Sequence, residues 1–142
     1  VRNGITLIGV VMTAPDYKVR FADAAAMLNY GFGKCSMFVD EHTEKLKKVP
    51  VKKTVQGSVP CKFSETFYYL ETEGKSLDNM KKEIRMKKSL TAPVKAGDTA
   101  GEAVYLLDGQ EIGSVKIVAA EDLAASKYLD YLIYLCMQAV SF

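Results

Sequence analysis

Residues 5–12, Ile-Thr-Leu-Ile-Gly-Val-Val-Met, carry apolar side chains on both faces of an extended strand. That is the pattern of a strand in the middle of a sheet covered on both sides. Asp16 follows as an N-cap, and Phe21, Ala25, Leu28 and Phe32 recur at the spacing of a helix with one buried stripe. Gly31 stands where a left-handed C-cap would end that helix. One helix cannot cover both faces of the strand, so the strand is expected to be parted from its sheet. The chain opens Val1-Arg2-Asn3-Gly4 without an initiator methionine, and it is expected to be the C-terminal part of a longer polypeptide.

From about Val49 to Ala119 the pattern shifts to short alternating runs broken by turn residues, as in a small antiparallel β domain. Strands are predicted at 49–55, 58–63, 66–71, 83–88, 102–107 and 110–118. Asp108-Gly109 is a hairpin signal, since both central positions of a type I′ turn want positive φ. Val115, Ile117 and Ala119 should then face inward, with Ser114 and Lys116 outward. Pro93 confines 90–94 to an edge or entry segment. Residues 34–48 are read as a connection, and the architecture of the β region as a sandwich or small barrel.

The chain ends on a different pattern. After a candidate N-cap at Ser126, the run Tyr131-Leu132-Ile133-Tyr134-Leu135-Cys136-Met137 is apolar almost all round. On a helix Tyr128, Tyr131 and Tyr134 share one side, and Leu129, Leu132, Ile133 and Cys136 another. The segment is short for a membrane span. Two readings stay open: an interfacial helix whose tyrosines sit at headgroup level, or a helix packed on the β domain or a neighbouring copy.

Composition narrows the chemistry. With 142 residues, 49% of them hydrophobic, the chain can hold one sizeable core. A net charge of +2 from 19 basic and 17 acidic residues gives no commitment to nucleic acid, and no nucleic-acid partner is expected. Three cysteines, Cys35, Cys61 and Cys136, form neither a metal spacing nor a disulfide framework, and an odd count argues for free thiols. A Cys35–Cys61 bridge stays open for an exported chain. His42, the single histidine, lies in a polar stretch and reads as solvated. In the cluster Lys81, Lys82, Arg85, Lys87 and Lys88, Arg85 and Lys87 should share a solvent face with Glu83, leaving Ile84 and Met86 inside. The sharper reading of that cluster is attraction to an anionic surface. Residues 93–99 look like a loop of biotinyl and lipoyl carrier domains, but the hairpin tip Asp108-Gly109 offers no lysine for attachment, and a plain turn at Gly97 is the simpler account. No Ser-x-x-Lys, Ser-x-Asn, Lys-Thr-Gly, Gly-x-Ser-x-Gly, His-Glu-x-x-His or phosphate-loop pattern occurs. No catalytic, cofactor-binding or metal-binding residue is assigned, and no cofactor is expected.

The stretches Gly4 to Met12, Arg20-Phe21-Ala22-Asp23 and Leu28-Asn29-Tyr30-Gly31-Phe32 resemble the end of the penicillin-binding domain of low-molecular-weight D-alanyl-D-alanine carboxypeptidases. Leu90-Thr91-Ala92-Pro93-Val94-Lys95-Ala96-Gly97, continuing to Leu107-Asp108-Gly109, resembles their C-terminal β domain. The resemblance implies a parent enzyme that hydrolyses the terminal D-alanine of peptidoglycan peptides through a serine acyl-enzyme that penicillins also form. The family's catalytic motifs would lie upstream of Val1, so this chain alone is expected to be inactive.

The expectation is therefore a mainly β chain: a strand-helix remnant of an α/β penicillin-binding domain at 1–34, an antiparallel β-sandwich at 35–120, and an amphipathic terminal helix at 121–142. Its expected role is to position the catalytic domain at the outer face of the bacterial cytoplasmic membrane after export. Tyr128, Leu129, Tyr131, Leu132, Ile133 and Leu135 are the residues expected to meet an anionic membrane surface. A peptidoglycan peptide is the parent's expected partner, and a homo-oligomer or strand-swapped dimer the expected association of the isolated chain. The alternative is a free-standing β-sandwich binding or oligomerisation module, with a pocket lined by groups such as Tyr68 and Tyr69.

Overall fold

The computed structural model describes residues 1–140, with side chains through 137. In chain order the elements are α1 (Tyr17–Lys34), β1 (Ser36–Asp40), β2 (Val49–Lys52), β3 (Ser58–Val59), β4 (Cys61–Phe63), β5 (Phe67–Glu71), β6 (Met80–Met86), β7 (Leu90–Thr91), β8 (Thr99–Leu107), β9 (Gln110–Ala119) and α2 (Tyr128–Val140). They form two compact units. One comprises Val1–Asp40 with Phe67–Met80, the other Glu41–Thr66 with Lys81–Phe142.

In the first unit, Asn3 and Gly4 take positive φ in a tight turn, and Arg2 and Ile5 exchange backbone hydrogen bonds of 3.0 and 2.9 Å across it. Residues 6–14 then run without any strand partner among the described residues. The strand predicted at 5–12 is thus a segment with no ladder, because among the described residues its neighbour is helix α1 and not another strand. Its two faces differ. Ile5 is buried and Leu7 and Val11 half-buried, whereas Ile8, Val10 and Met12 are 88%, 73% and 92% exposed.

Asp16 caps α1 as expected, its carboxylate accepting from the Val19 N–H at 2.9 Å. The helix runs past Gly31 to Lys34, and Cys35, not Gly31, ends it. Gly31 serves a close approach: a β-carbon there would lie 2.8 Å from Leu7 Cδ1. The predicted stripe is only half covered. Leu28 and Phe32 are half-buried, but Phe21 is 72% exposed, since one extended segment spans only part of the helix. Arg2 holds the two together, donating to Asn29 Oδ1 at 2.8 Å and lying 4.9 Å over the Phe32 ring. Residues 34–48, read as a connection, contain a strand instead. β1 pairs antiparallel with β5 from Ser36↔Glu71 to Asp40↔Phe67, and Phe38 meets Phe67 edge-on at 6.4 Å.

The second unit is a β-sandwich. A three-stranded sheet, β3-β2-β7, faces a four-stranded sheet, β4-β9-β8-β6. The core between them gathers Val49, Val51 and Val59 from the smaller sheet, Ala100 and Ala119 from the larger, and Ala92, Val94 and Leu123 from the connections. The run predicted as one strand at 58–63 is broken at Pro60, whose nitrogen has no hydrogen to donate. The chain changes sheets there: Val59 pairs with Val49 in one, and Cys61 with Ala119 in the other. β7 is an edge strand parallel to β2, as Pro93 implies. β8 and β9 form the predicted hairpin, with Asp108 at φ 51° and Gly109 at φ 84°. Val115, Ile117 and Ala119 are buried while Ser114 and Lys116 are exposed. β6 departs from its expected facing in one place: Ile84, expected inside, is 43% exposed, whereas Met86 is half-buried, as is Lys82 on the same face by alternation.

Candidate functional site

Two features of the second unit have the makings of a site: the terminal helix and a cleft beside β4. The helix is rooted by the turn ahead of it. Ser126, expected as the N-cap, instead accepts the Val55 N–H on its Oγ at 3.0 Å and donates its own N–H to the Lys53 carbonyl at 2.9 Å. The helix begins at Tyr128, so Lys127 takes the capping position. Asp130 reaches back to the Lys127 N–H at 2.7 Å, satisfying a donor the helix leaves orphaned. Every residue from Lys127 to Met137 is exposed. The six residues expected at a membrane, Tyr128, Leu129, Tyr131, Leu132, Ile133 and Leu135, are therefore all on open surface, between 38% and 83% exposed. Neither stripe of the helix packs on the sandwich, which leaves the interfacial helix and packing on a neighbouring copy as the two readings.

The cleft, of about 550 Å3, is formed by residues 41–48 and the strand β4 with its flanks. His42 stands on its wall at φ 55°, a left-handed conformation uncommon for a residue with a β-carbon. Its ring lies flat on Phe63, centroids 3.9 Å apart and planes 10° apart. Nε2 is 2.9 Å from the Glu65 carbonyl, an acceptor only, so Nε2 carries the hydrogen. Nδ1 is then an acceptor, and it faces two donors, Lys82 Nζ at 3.0 Å and the Tyr105 hydroxyl at 3.3 Å. These partners fix one neutral tautomer and engage both ring nitrogens. Lys82 also pairs with Glu44 and lies 4.6 Å over the Phe63 ring. The reading of His42 as solvated is overturned.

The signal for this cluster was weak in sequence, because His42, Phe63, Lys82 and Tyr105 come from four separate segments. Tyr68 and Tyr69, offered as pocket groups, do not converge. They are neighbours on β5 and point to opposite faces, Tyr68 exposed at 65% and Tyr69 donating to Glu71 Oε2 at 3.1 Å. All three cysteines are free thiols. Burial pushes the Cys61 thiol above its ordinary range, against a smaller opposing pull from a hydrogen bond with the Val49 backbone, so it is a poor nucleophile. The basic run on β6 is partly consumed: Arg85 pairs with Glu83 at 2.9 Å on the solvent face, as expected, and Lys87 donates to the Thr99 carbonyl at 2.8 Å.

Comparison with known proteins agrees with this architecture. Residues 38–125 match the family described as penicillin-binding protein 5, C-terminal domain. D-alanyl-D-alanine carboxypeptidase DacF of Bacillus subtilis is 28% identical over 132 residues, 92% of this chain and 34% of that protein. D-alanyl-D-alanine carboxypeptidase DacA of Haemophilus influenzae is 28% identical over 138 residues, 92% of this chain and 35% of its own length. Among solved structures, penicillin binding protein 5 from Haemophilus influenzae superimposes with a TM-score of 0.59 at 27% identity, over 80% of this chain and 33% of that one. The chain thus spans about a third of the length of the relatives it matches. By a match over most of its residues and by its fold, the chain belongs to the penicillin-binding protein 5 C-terminal domain family, a domain of D-alanyl-D-alanine carboxypeptidases.

Proposed function

We propose that this chain is the non-catalytic C-terminal part of an exported D-alanyl-D-alanine carboxypeptidase of peptidoglycan metabolism. In this reading its sandwich carries α2 as a contact with the outer face of the cytoplasmic membrane. The observation that carries the proposal is a helix rooted at Ser126 whose described side chains are all open to solvent although most are apolar. Thirteen residues span about 20 Å at 1.5 Å each, short of a hydrocarbon core of about 30 Å. No helix among the described residues is long and apolar enough to cross a membrane. Such a helix suits the interface plane, where each fully buried Leu or Ile contributes about 1.5–3 kcal/mol. Leu129, Leu132, Ile133 and Leu135 would hold the domain there reversibly, with tyrosine rings at headgroup level.

Flotation with vesicles containing phosphatidylglycerol tests this. The full chain should float with the vesicles, and L129S/L132S/I133S/L135S should remain in the dense fraction with an unchanged sandwich. Equal flotation of the two would sink the membrane reading. Treatment with a fluorescent penicillin should leave this chain unlabelled, since the serine and lysine motifs of the reaction are not in it.

A second reading concerns association of copies. Ile8, Val10 and Met12 present an apolar face on a segment with no ladder partner, which supports strand exchange between two chains. Light scattering that shows a dimer, lost in I8S/V10S, is its expected result; a monomer at all concentrations overturns it.

A further inference from the structure

We propose that the cleft beside β4 binds a short zwitterionic peptide, with a free carboxylate and a free amine separated by small apolar side chains. The cleft's volume of about 550 Å3 lies within the range of small-molecule sites, about 300–1,000 Å3. Its lining carries charges of both signs. Lys82 has drawn Glu44 into an ion pair, whereas Lys45, Lys48 and Lys62 have no salt bridge among the described residues, nor have the Glu41 and Glu65 carboxylates. A polyanion would satisfy the lysines but meet two repelling carboxylates, and a polycation would meet the reverse. A ligand with both charges answers both sets. Leu46, Pro60 and Phe63 add apolar surface to the same lining, suited to methyl side chains.

The site binds and does not cut. Burial keeps the Cys61 thiol protonated, and both nitrogens of His42 are engaged. The stack of His42 on Phe63 and the Lys82 contacts hold this wall in place before any ligand arrives, which lowers the ordering cost of binding. The choice of a D-alanyl peptide as probe rests on the reading of the chain as part of a D-alanyl-D-alanine carboxypeptidase; the charge pattern of the cleft does not.

The test is an NMR titration of the full chain with Nα-acetyl-L-lysyl-D-alanyl-D-alanine, which has one free amine and one free carboxylate. Saturable shifts confined to residues 41–48 and 60–66 are expected at millimolar peptide. Affinity should fall about tenfold in K45E/K62E, and also for the peptide's C-terminal amide and for its Nε-acetyl form. The variant K88E/K116E, altered at exposed lysines outside the cleft, should bind as the parent does, and circular dichroism should show all variants folded. No saturable shift, equal affinity for the three peptide forms, or a stronger response to inorganic polyphosphate would each overturn the proposal. Flotation of the same samples reads α2 separately, so failure of the cleft and failure of the membrane reading are distinguishable.

Discussion

The Lys82 ammonium lies 3.0 Å from Nδ1 of His42, so a lysine on a sheet strand points inward and donates to a neutral imidazole. Phe63 receives both: the imidazole stacks on its ring, and the ammonium sits 4.6 Å from its centroid. With the Tyr105 hydroxyl at 3.3 Å, the arrangement joins residues 41–48 to three strands of the larger sheet, β4, β6 and β8, through one histidine side chain. Within residues 41–48 the cluster is carried by His42 and Glu44, which is why that stretch looks like an ordinary polar loop in sequence.

His42→Ala removes the stack and the shared acceptor together. A loss of about 1–2 kcal/mol in urea unfolding is expected. Lys82→Met should cost less, because its unbranched side chain still covers Phe63 and Tyr105. The double variant should reveal a coupling of about 1 kcal/mol between the two sites. Strict additivity would show that the 3.0 Å contact contributes nothing to stability.

Glu71 is almost wholly inaccessible at the end of β5, accepting the Glu73 N–H at 2.7 Å and the Tyr69 hydroxyl at 3.1 Å. The Glu73 backbone hydrogen bond, aided by the Tyr69 hydroxyl and Lys75 against opposing desolvation, holds its carboxyl below the usual glutamate range. A lowered folded-state pKa contributes stability that is present above the unfolded pKa, near 4.3, and lost as pH falls through the folded value. Amide exchange in β1 and β5 should therefore quicken on acidification below about pH 4.3, and the acid response should flatten in Glu71→Gln. The Tyr69 hydroxyl is shifted the other way, its pKa raised chiefly by its bond to Glu71. That contribution is present below the ordinary tyrosine range and lost as pH rises through the raised value, so Tyr69→Phe should flatten the alkaline response of the same strands. Identical pH profiles in parent and variants would contradict both assignments.

What could be read from the chain beforehand was local. Asp16 announced a cap, Asp108-Gly109 a hairpin, and Val115, Ile117 and Ala119 a buried face, because each depends on neighbours a few residues away. Pro60 was visible, but its consequence was not: a strand that changes sheets is decided by which partners lie on either side, Val49 for one half and Ala119 for the other. β1 was missed because Met37 and Val39 stay largely exposed and it pairs with β5 across some thirty residues of sequence. Gly31 misled for a related reason: glycine marks helix ends but also close approaches, and only Leu7 distinguishes the two. The six apolar residues of α2 were legible as a surface, whereas the cleft drew its charges from two distant segments and left no periodic trace.

Ser126 offers a test of how α2 is held. Its hydroxyl accepts the Val55 N–H, and Ser126→Ala leaves that donor to water or unmet, with an expected cost of about 1 kcal/mol. Because the helix is capped by Asp130 instead, the loss should fall on the link to the 53–55 turn and leave the intrinsic helix start intact. Asp130→Ala should do the opposite, fraying the first turn of α2 while the Val55 amide stays protected. Amide exchange at Val55 and Tyr131 in the two variants separates these effects.

Gly101 is the sharper case, since what surrounds it is backbone. A β-carbon there would lie 2.5 Å from the Arg85 carbonyl oxygen and 3.0 Å from Met86 Cα, so neither contact can be relieved by a side-chain rotation. β6 and β8 are adjacent in the larger sheet, and the register of β8 against β9 already shifts between Thr99 and Gly101. Gly101→Ala must push β6 away from β8 or widen that irregularity, and a loss of at least about 2 kcal/mol is expected. Gly109→Ala is the control: open space surrounds it, and only the strain of its positive φ opposes a side chain, about 1–2 kcal/mol. If crowding by backbone governs, Gly101→Ala should also raise amide exchange along β6, where Gly109→Ala leaves it unchanged. Equal, localised effects of the two substitutions would show that β6 yields to a methyl group, and that the close approach at Gly101 is not what fixes the sheet edge.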